Sequence, residues 1–264
     1  MTGINAQIYA KTLPISEVDD PTRRAMYALL RLYYEQVSFE QFARDLGNKN
    51  HVILMYDKRH HRLRGFSTVR SLKLNIRYRR ALGVFSGDTV VEKAYWGQRV
   101  LGKAFLRYLW CLKLRHPFIP LYWLLISKGY KTYLLMANNF TEHYPRREQA
   151  TPTWAKGLMD EVYGKIFPDA YESETGLIRS IGEACRLREG VAEPNDRQAQ
   201  NNPRIAYFLS QNPDWKEGVE LGCIARFRLS MPLIYHLKSL GRRLSLANPV
   251  STHPRNAMSP GAVK

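Results

Sequence analysis

GVFSGDTVVEKAYWGQRVLGKAFL, residues 83–106, is the stretch on which the reading of this chain turns. Val84, Phe85, Val90 and Val91 are strand-type residues, and Gly87-Asp88 between them predicts a bend or a bulge. Tyr95-Trp96-Gly97 breaks the strand. From Gln98 onward Leu101, Phe105, Tyr108, Leu109 and Leu112 recur at helical spacing, which predicts a helix to about Arg115. The unit is therefore a strand, a tight aromatic loop and a helix. The first N–H groups of a helix lack intrahelical acceptors and carry partial positive charge, so an anion is stabilised there. Gly102 and Ala104 leave the backbone open to such an anion, and Arg99 and Lys103 add full charges. Gly97 and Gly102 read equally as residues that merely shape a strand-to-helix turn.

Around this unit the composition is that of a folded chain. At 264 residues, with 45% hydrophobic and 12% aromatic content, it has enough apolar surface for a sizeable core. Cys111, Cys185 and Cys223 are widely spaced and odd in number, forming neither a disulfide framework nor a metal-ligand pattern; this suits a reducing compartment. Cys111, mid-helix with no acid or base beside it in sequence, reads as a buried thiol rather than a nucleophile. No signal-peptide pattern opens the chain, and the longest apolar run, residues 118–127, is too short to span a bilayer. A cytoplasmic protein without bound metal is expected. The net charge of +17 includes nine Lys or Arg between Lys58 and Arg80, with no carboxylate among them. Seven more follow Glu220, again without a carboxylate. Such a field attracts polyanions: nucleic acid, an anionic membrane surface, an acidic carrier protein or a phosphorylated cofactor.

Taken in order, Asp20-Pro21 opens a first helix with Asp20 as its cap, and Met26, Leu29, Leu30 and Tyr33 lie on one face. Ser38 with Gln41 opens a second helix that stops at Gly47. His51–Tyr56 and Leu63–Ile76 read as strands joined by a charged hairpin, where His60 and His61 are turn residues rather than metal ligands. Pro117–Gly129 reads as a buried helix and Tyr130–Phe140 as a strand. Residues 151–167 form a helix with its apolar positions at i, i+3, i+4. Residues 186–203 read as a surface loop, and Ile205–Leu209 and Leu221–Phe227 as two short strands of a closing hairpin. Met231–Leu246 is a basic amphipathic helix candidate, and residues 248–264 read as a disordered tail.

Arg99-Val-Leu-Gly102-Lys-Ala104 fits the pattern Q/R-x-x-G-x-G/A, and here the chain resembles the GNAT acyltransferases, whose version of this turn holds the pyrophosphate of coenzyme A. The order of predicted elements over residues 20–146 is similar to that family's, with the Pro117–Gly129 segment as a departure. The resemblance implies an α/β fold: a GNAT-like mixed central β-sheet flanked by helices, with an elaborated helical C-terminal half, residues 1–247 forming one domain. It further implies that Gln98, Arg99, Val100, Leu101, Gly102, Lys103 and Ala104 bind acetyl-CoA or a longer acyl-CoA. Val90 and Val91 would hold the pantetheine arm through their backbone, with Asn138 near the end of the next strand. The activity implied is N-acyl transfer from coenzyme A, or from an acyl carrier protein, to a small-molecule amine such as an amino acid. Such transfer needs a base for the amine and an acid for the leaving thiolate. Asp88 is the candidate base, with Glu92 as rival and a simple strand bend as the other reading; Tyr144 is the candidate acid, or else a core tyrosine. A non-enzymatic anion-binding module on the same fold is the competing class.

Overall fold

In the computed structural model the described residues are 7–76, 79–179, 186–188 and 200–229. The basic helix candidate 231–246, the tail 248–264 and Cys185 lie outside them. Eleven strands are described: β1 (Ile8–Pro14), β2 (Tyr34–Glu35), β3 (His51–Asp57), β4 (Leu63–Ile76), β5 (Arg79–Val91), β6 (Leu121–Ser127), β7 (His143–Tyr144), β8 (Tyr171–Glu172), β9 (Leu177–Ile178), β10 (Arg186–Leu187) and β11 (Glu220–Phe227). The helices are α1 (Asp20–Arg31), α2 (Phe39–Gly47), α3 (Val100–Arg115), α4 (Tyr130–Asn139), α5 (Thr153–Ile166) and α6 (Pro203–Gln211). The sheet runs β1-β3-β4-β5-β6-β11-β9-β8, with β7 also on β11; β2 and β10 form a separate pair.

Neighbouring strands are antiparallel except β5 and β6, which run parallel. Period-2 alternation sorts side chains between the two faces. Val52, Leu54, Phe66 and Val90 pack under α1 and α2 with Met26, Leu30, Phe42 and Leu46. Phe85, Tyr122, Leu124 and Ile224 pack under α5 with Leu158, Met159, Val162 and Tyr163, so these three helices share one face. The opposite face carries α3, whose Phe105 ring lies 5.0 Å from Trp123 of β6. Each fully buried Leu, Val or Phe contributes roughly 1.5–3 kcal/mol relative to exposure, and this two-sided burial holds the sheet together. Tyr163 adds a polar tie: its buried hydroxyl, with one proton to donate, lies within hydrogen-bond distance of the carbonyls of Leu125 (2.8 Å) and Cys223 (2.7 Å).

Several expectations hold. Ser38 caps α2 by accepting from the Gln41 N–H at 3.1 Å, α3 ends at Arg115, and α5 buries Ala155, Leu158, Met159, Val162 and Tyr163. Others are corrected. Asp19, not Asp20, caps α1, accepting from the Thr22 N–H at 2.9 Å. Leu121–Ser127 is a strand rather than a helix, because both of its faces are covered and a strand buried on both sides shows no alternation. Tyr130–Asn139 is a helix rather than a strand, burying Tyr130, Tyr133, Met136 and Ala137 at i, i+3, i+6 and i+7. Residues 203–211 are also helical, opened by Asn202, whose side chain accepts from the Arg204 N–H at 3.0 Å. The expected hairpin of 205–209 with 221–227 is not formed, since the first segment is helical and β11 enters between β6 and β9. Cys111 is exposed, on the solvent side of α3. No helix among the described residues is long and apolar enough to cross a membrane.

With the 117–139 stretch corrected, the order from α1 is helix, helix, three antiparallel strands, helix, parallel strand, helix. The short β2 lies apart from the main sheet. This mixed central sheet flanked by helices is the α/β order that the resemblance implies.

Candidate functional site

The site begins with a fork in the sheet. β5 and β6 pair from Leu82 with Leu121 to Ser86 with Leu125, and there the ladder ends. At that point β5 carries the expected bulge. Ser86 pairs with Val69 and Thr89 with Ser67, so Gly87 and Asp88 together oppose Thr68 alone. A bulge adds twist and bends its strand, which turns β5 away from β6. The Trp123 indole N–H donates to Ser86 Oγ at 2.9 Å and pins the crotch of the fork. Beyond it, Gly87–Val91 pairs only with β4 among the described residues, and no described strand pairs with its other edge.

The backbone polarity of that edge follows from the antiparallel pattern. Glu92 N–H donates to Arg64 O at 2.8 Å, so alternate residues bond toward β4 and the others away from it. Val90 points its carbonyl at β4, 2.9 Å from where a Cβ on Gly65 would stand. Thr89 and Val91 therefore turn their backbone groups into the fork. Thr89, rather than the expected Val90, therefore presents its backbone groups to the fork, because residue parity across the bulge decides which amides face outward. The Val91 carbonyl is taken by the Trp96 indole N–H at 2.7 Å, which leaves its N–H.

Downstream of β5 a short 3-10 turn over Lys93–Tyr95 and Gly97, with φ of 82°, bring the chain into α3. Only glycine takes that φ without cost. Gln98 closes the turn by donating its N–H to Tyr95 O at 3.3 Å. Arg99 is the N-cap, and its side chain makes no capping hydrogen bond. The first intrahelical backbone bond of α3 runs from Lys103 N–H to Arg99 O at 2.9 Å. The amides of Val100, Leu101 and Gly102 precede it and have no intrahelical acceptor. A Cβ on Gly102 would have no heavy atom within 4 Å. Ala104 is partly exposed and Lys103 is exposed.

On the face that carries α1, α2 and α5, charged groups surround the fork. Glu220 is the first residue of β11. Leu221 pairs with Ser127, which places Glu220 beside the end of β6, where it meets Lys128 at 2.9 Å. Its side chain is 13% exposed. Burial lifts its carboxyl above the usual carboxylate range; Lys128 opposes this, the charge of Asp88 adds to it, and Lys49 counters it again. Asp88 thus stands within electrostatic reach of Glu220 from the opposite arm of the fork. Glu92, the rival base, is committed to Arg64 at 2.8 Å, and Arg64 also binds Asp57 at 3.0 Å. That pairing makes it a structural carboxylate. At the mouth, Lys131 of α4 lies 4.0 Å from the centroid of the Trp96 ring, while Lys128 faces the Tyr34 ring at 5.6 Å.

Two expected residues are not brought to the fork. Tyr144 sits on β7, paired with Ile224, three strands from β5 in the order β5-β6-β11-β7. At the usual spacing that is about 14 Å. Its ring is 5% exposed in the cluster under α5, edge-on to Trp154 at 5.7 Å. It is the core tyrosine of the two readings. Asn138 lies near the C-terminal end of α4, eight residues or about 12 Å of helix from Tyr130. Its Oδ1 accepts from Arg204 at 2.7 Å. Both assignments depended on Tyr130–Phe140 being a strand that ends at the fork. As a helix it starts there and runs away. Glu220 went unnoticed in sequence, although a carboxylate heading the apolar run LGCIARF is the kind of residue a strand buries only for a reason.

No group of three or more His, Cys, Asp or Glu side chains that could hold a metal occurs among the described residues. No protein-family model matches the chain, and no curated protein matches it. Among solved structures, the chain is similar to a GNAT family N-acetyltransferase from Escherichia coli in complex with CoA (14% identity, 48% of this chain and 67% of that one, TM-score 0.34). It is also similar to an acetyltransferase from Trypanosoma brucei (18%, 55% and 100%, TM-score 0.37). A third is glucosamine-6-phosphate N-acetyltransferase from Arabidopsis thaliana (15%, 56% and 99%, TM-score 0.37).

Proposed function

We propose that the protein is an N-acyltransferase that uses an acyl-coenzyme A donor and a small amine acceptor. The observation that carries this reading is the fork: β5 and β6 part at Ser86 and Leu125, and the unpaired edge leads straight into the start of α3. An extended thioester arm fits such an edge as a surrogate strand, bonding to Thr89 and to the Val91 N–H. A pyrophosphate fits the α3 start, where Gly102 leaves open space and the amides of Val100, Leu101 and Gly102 converge. Arg99 and Lys103 supply countercharge there.

The donor brings an acyl carbon activated as a thioester. The chain's residues do the rest. The acceptor enters as an ammonium ion and must lose a proton before its nitrogen can attack. Asp88 and Glu220 flank the fork, and Glu220, whose proton affinity burial has raised, is suited to take that proton. The backbone N–H of the β5 edge stabilises charge on the thioester oxygen as the N–C bond forms. The C–S bond then breaks, the sulfur takes up a proton, and the nitrogen releases its second one. The balance is one amide, one thiol and one proton.

The test is thiol release from acetyl-CoA and longer acyl-CoAs over a panel of primary amines, with amide product identified by mass spectrometry. Asp88→Asn and Glu220→Gln should each lower kcat about 10²- to 10⁴-fold if its carboxylate is the base, with coenzyme affinity retained. Coenzyme binding without transfer to any amine would favour the non-enzymatic module instead.

A further inference from the structure

Phe118 is 96% exposed, so its ring contributes nothing to the core. It stands on the turn between α3 and β6, closed by the Ile119 N–H donating to His116 O at 3.2 Å. Pro117 fixes the backbone just ahead of it, and the buried Lys113 ammonium donates to Ile119 O at 2.7 Å. The turn is held in shape while its ring is held out in solvent. Two more exposed apolar side chains occur at this end of the sheet, opposite the fork. Leu114, 56% exposed, is in the last turn of α3, and Leu229, 43% exposed, follows β11. Strand pairing brings them together. Leu82 and Phe227 both pair with Leu121, the first residue of β6. Residues 116–120, the start of β5 and the chain after β11 therefore all extend past that end. The Trp110 ring meets Phe227 edge-on at 6.4 Å and ties α3 to β11 there.

Exposed cations surround these side chains. Arg115 adjoins Leu114, while β4 and β5 carry Lys73, Arg79 and Arg80 at and beyond the level of Leu82. None of the four is in a salt bridge among the described residues. Residues 58–87 and 93–141 contain no Asp or Glu, so these elements supply no compensating carboxylate. Glu142, the next acid along the chain, is taken by Arg228 at 2.6 Å. Apolar side chains on a fixed tip, ringed by uncompensated cations, match the interface of a bilayer. The ring and the leucines enter the acyl boundary, and the cations stay among lipid phosphates. We infer that this end of the molecule docks on a membrane surface rich in anionic lipid. Nucleic acid would engage the cations and stack on Phe118, but it would leave Leu114 and Leu229 in water. A second copy would bring the same positive patch face to face with itself. The inference does not depend on the acyltransferase reading. Docked this way, the molecule keeps the fork, at the other end of β5 and β6, away from the bilayer.

The experiment measures binding of the full-length protein to phosphatidylcholine vesicles with and without about one third phosphatidylglycerol. Binding should require the anionic lipid and weaken as salt rises. Phe118→Ala should lower the partition coefficient about 10-fold, the worth of one partly buried aromatic ring. Phe118→Trp should retain binding, and its added emission should shift to the blue on the vesicles. Arg79→Gln and Arg80→Gln should each lower partitioning about 5-fold. All three side chains are exposed, so thermal unfolding of the variants should match the wild type. Absence of binding to the anionic vesicles would overturn the inference. So would vesicle binding that Phe118→Ala leaves intact, which would assign it to positive charge elsewhere in the chain. Preference for a DNA oligonucleotide over the vesicles at the same salt, or a dimer that Phe118→Ala dissociates in light scattering, would overturn it as well.

Discussion

Gly102 offers a test in which stability and function move in opposite directions. It is the third residue of α3, and its Cβ direction is open to 4 Å. No positive φ requires glycine there, unlike Gly97. Alanine therefore removes backbone entropy from the unfolded chain and meets no clash in the folded one. Glycine costs up to about 1 kcal/mol in a helix relative to alanine, and somewhat less in the first turn, so Gly102→Ala should stabilise by roughly 0.5 kcal/mol. In a chain of this size that amounts to a Tm rise of about 1–2 °C. Gly102→Trp should also fold, since the same open space receives the indole. Yet the ring would cover the amides of Val100 and Leu101 at which the pyrophosphate is placed. Losing two or three charge-assisted hydrogen bonds should weaken coenzyme A binding by at least about 100-fold. Denaturant unfolding and titration calorimetry read the two effects separately. A Gly102→Trp protein that folds and binds coenzyme A with wild-type affinity would refute the placement of the pyrophosphate.

Gly87→Ala should do the reverse of Gly102→Ala. The new methyl would stand 2.6 Å from Thr68 Oγ1, a short buried side chain that cannot swing aside, so a loss of about 1–3 kcal/mol in urea unfolding is expected. Tyr163→Phe removes the hydroxyl that bonds Leu125 O and Cys223 O and accepts from Cys223 N–H, and should lower stability by about 1–3 kcal/mol; a change under about 0.5 kcal/mol would show that this tie is idle. Glu220 predicts a pH effect. Its folded carboxyl holds a proton above the usual carboxylate range, chiefly through burial. Across the window just above that range the native state binds more protons than the unfolded one, so stability falls as pH rises through it. Unfolding followed against pH should show that decline in the wild type and less of it in Glu220→Gln.

Much of the architecture is legible in local sequence because local physics specifies it. Gly87-Asp88 announces the bulge, since only a bend reconciles Phe85 and Val90 on one face of one strand. The Gly97–Ala104 run announces a helix start without a side-chain cap, and the spacing of Ala155, Leu158, Met159 and Val162 leaves α5 no other face to bury. Glu92 is a different case. Nothing near it in sequence foretells Arg64, 28 positions away, which takes its charge.

The misreadings have one physical cause. Leu121–Ser127 and Tyr130–Asn139 are both short, apolar and aromatic, and in such runs neither period stands out. Which one becomes a strand depends on the slot beside β5 and on β11 arriving on the other side from a hundred residues downstream. Once Leu121–Ser127 fills that slot, the next segment must leave the sheet as a helix. Asn138 then moves away from the fork, and Tyr144 goes into the core on β7. The sequence by itself determined the bulge, the open turn at Gly102 and the excess of positive charge, because each resides in a few adjacent residues or in composition. Only the tertiary structure decided that Thr68 and Lys49 pack at the bulge that carries Asp88, and that Glu220 comes within electrostatic reach of it. They come from four separate segments of chain, and long-range strand pairing is what joins them.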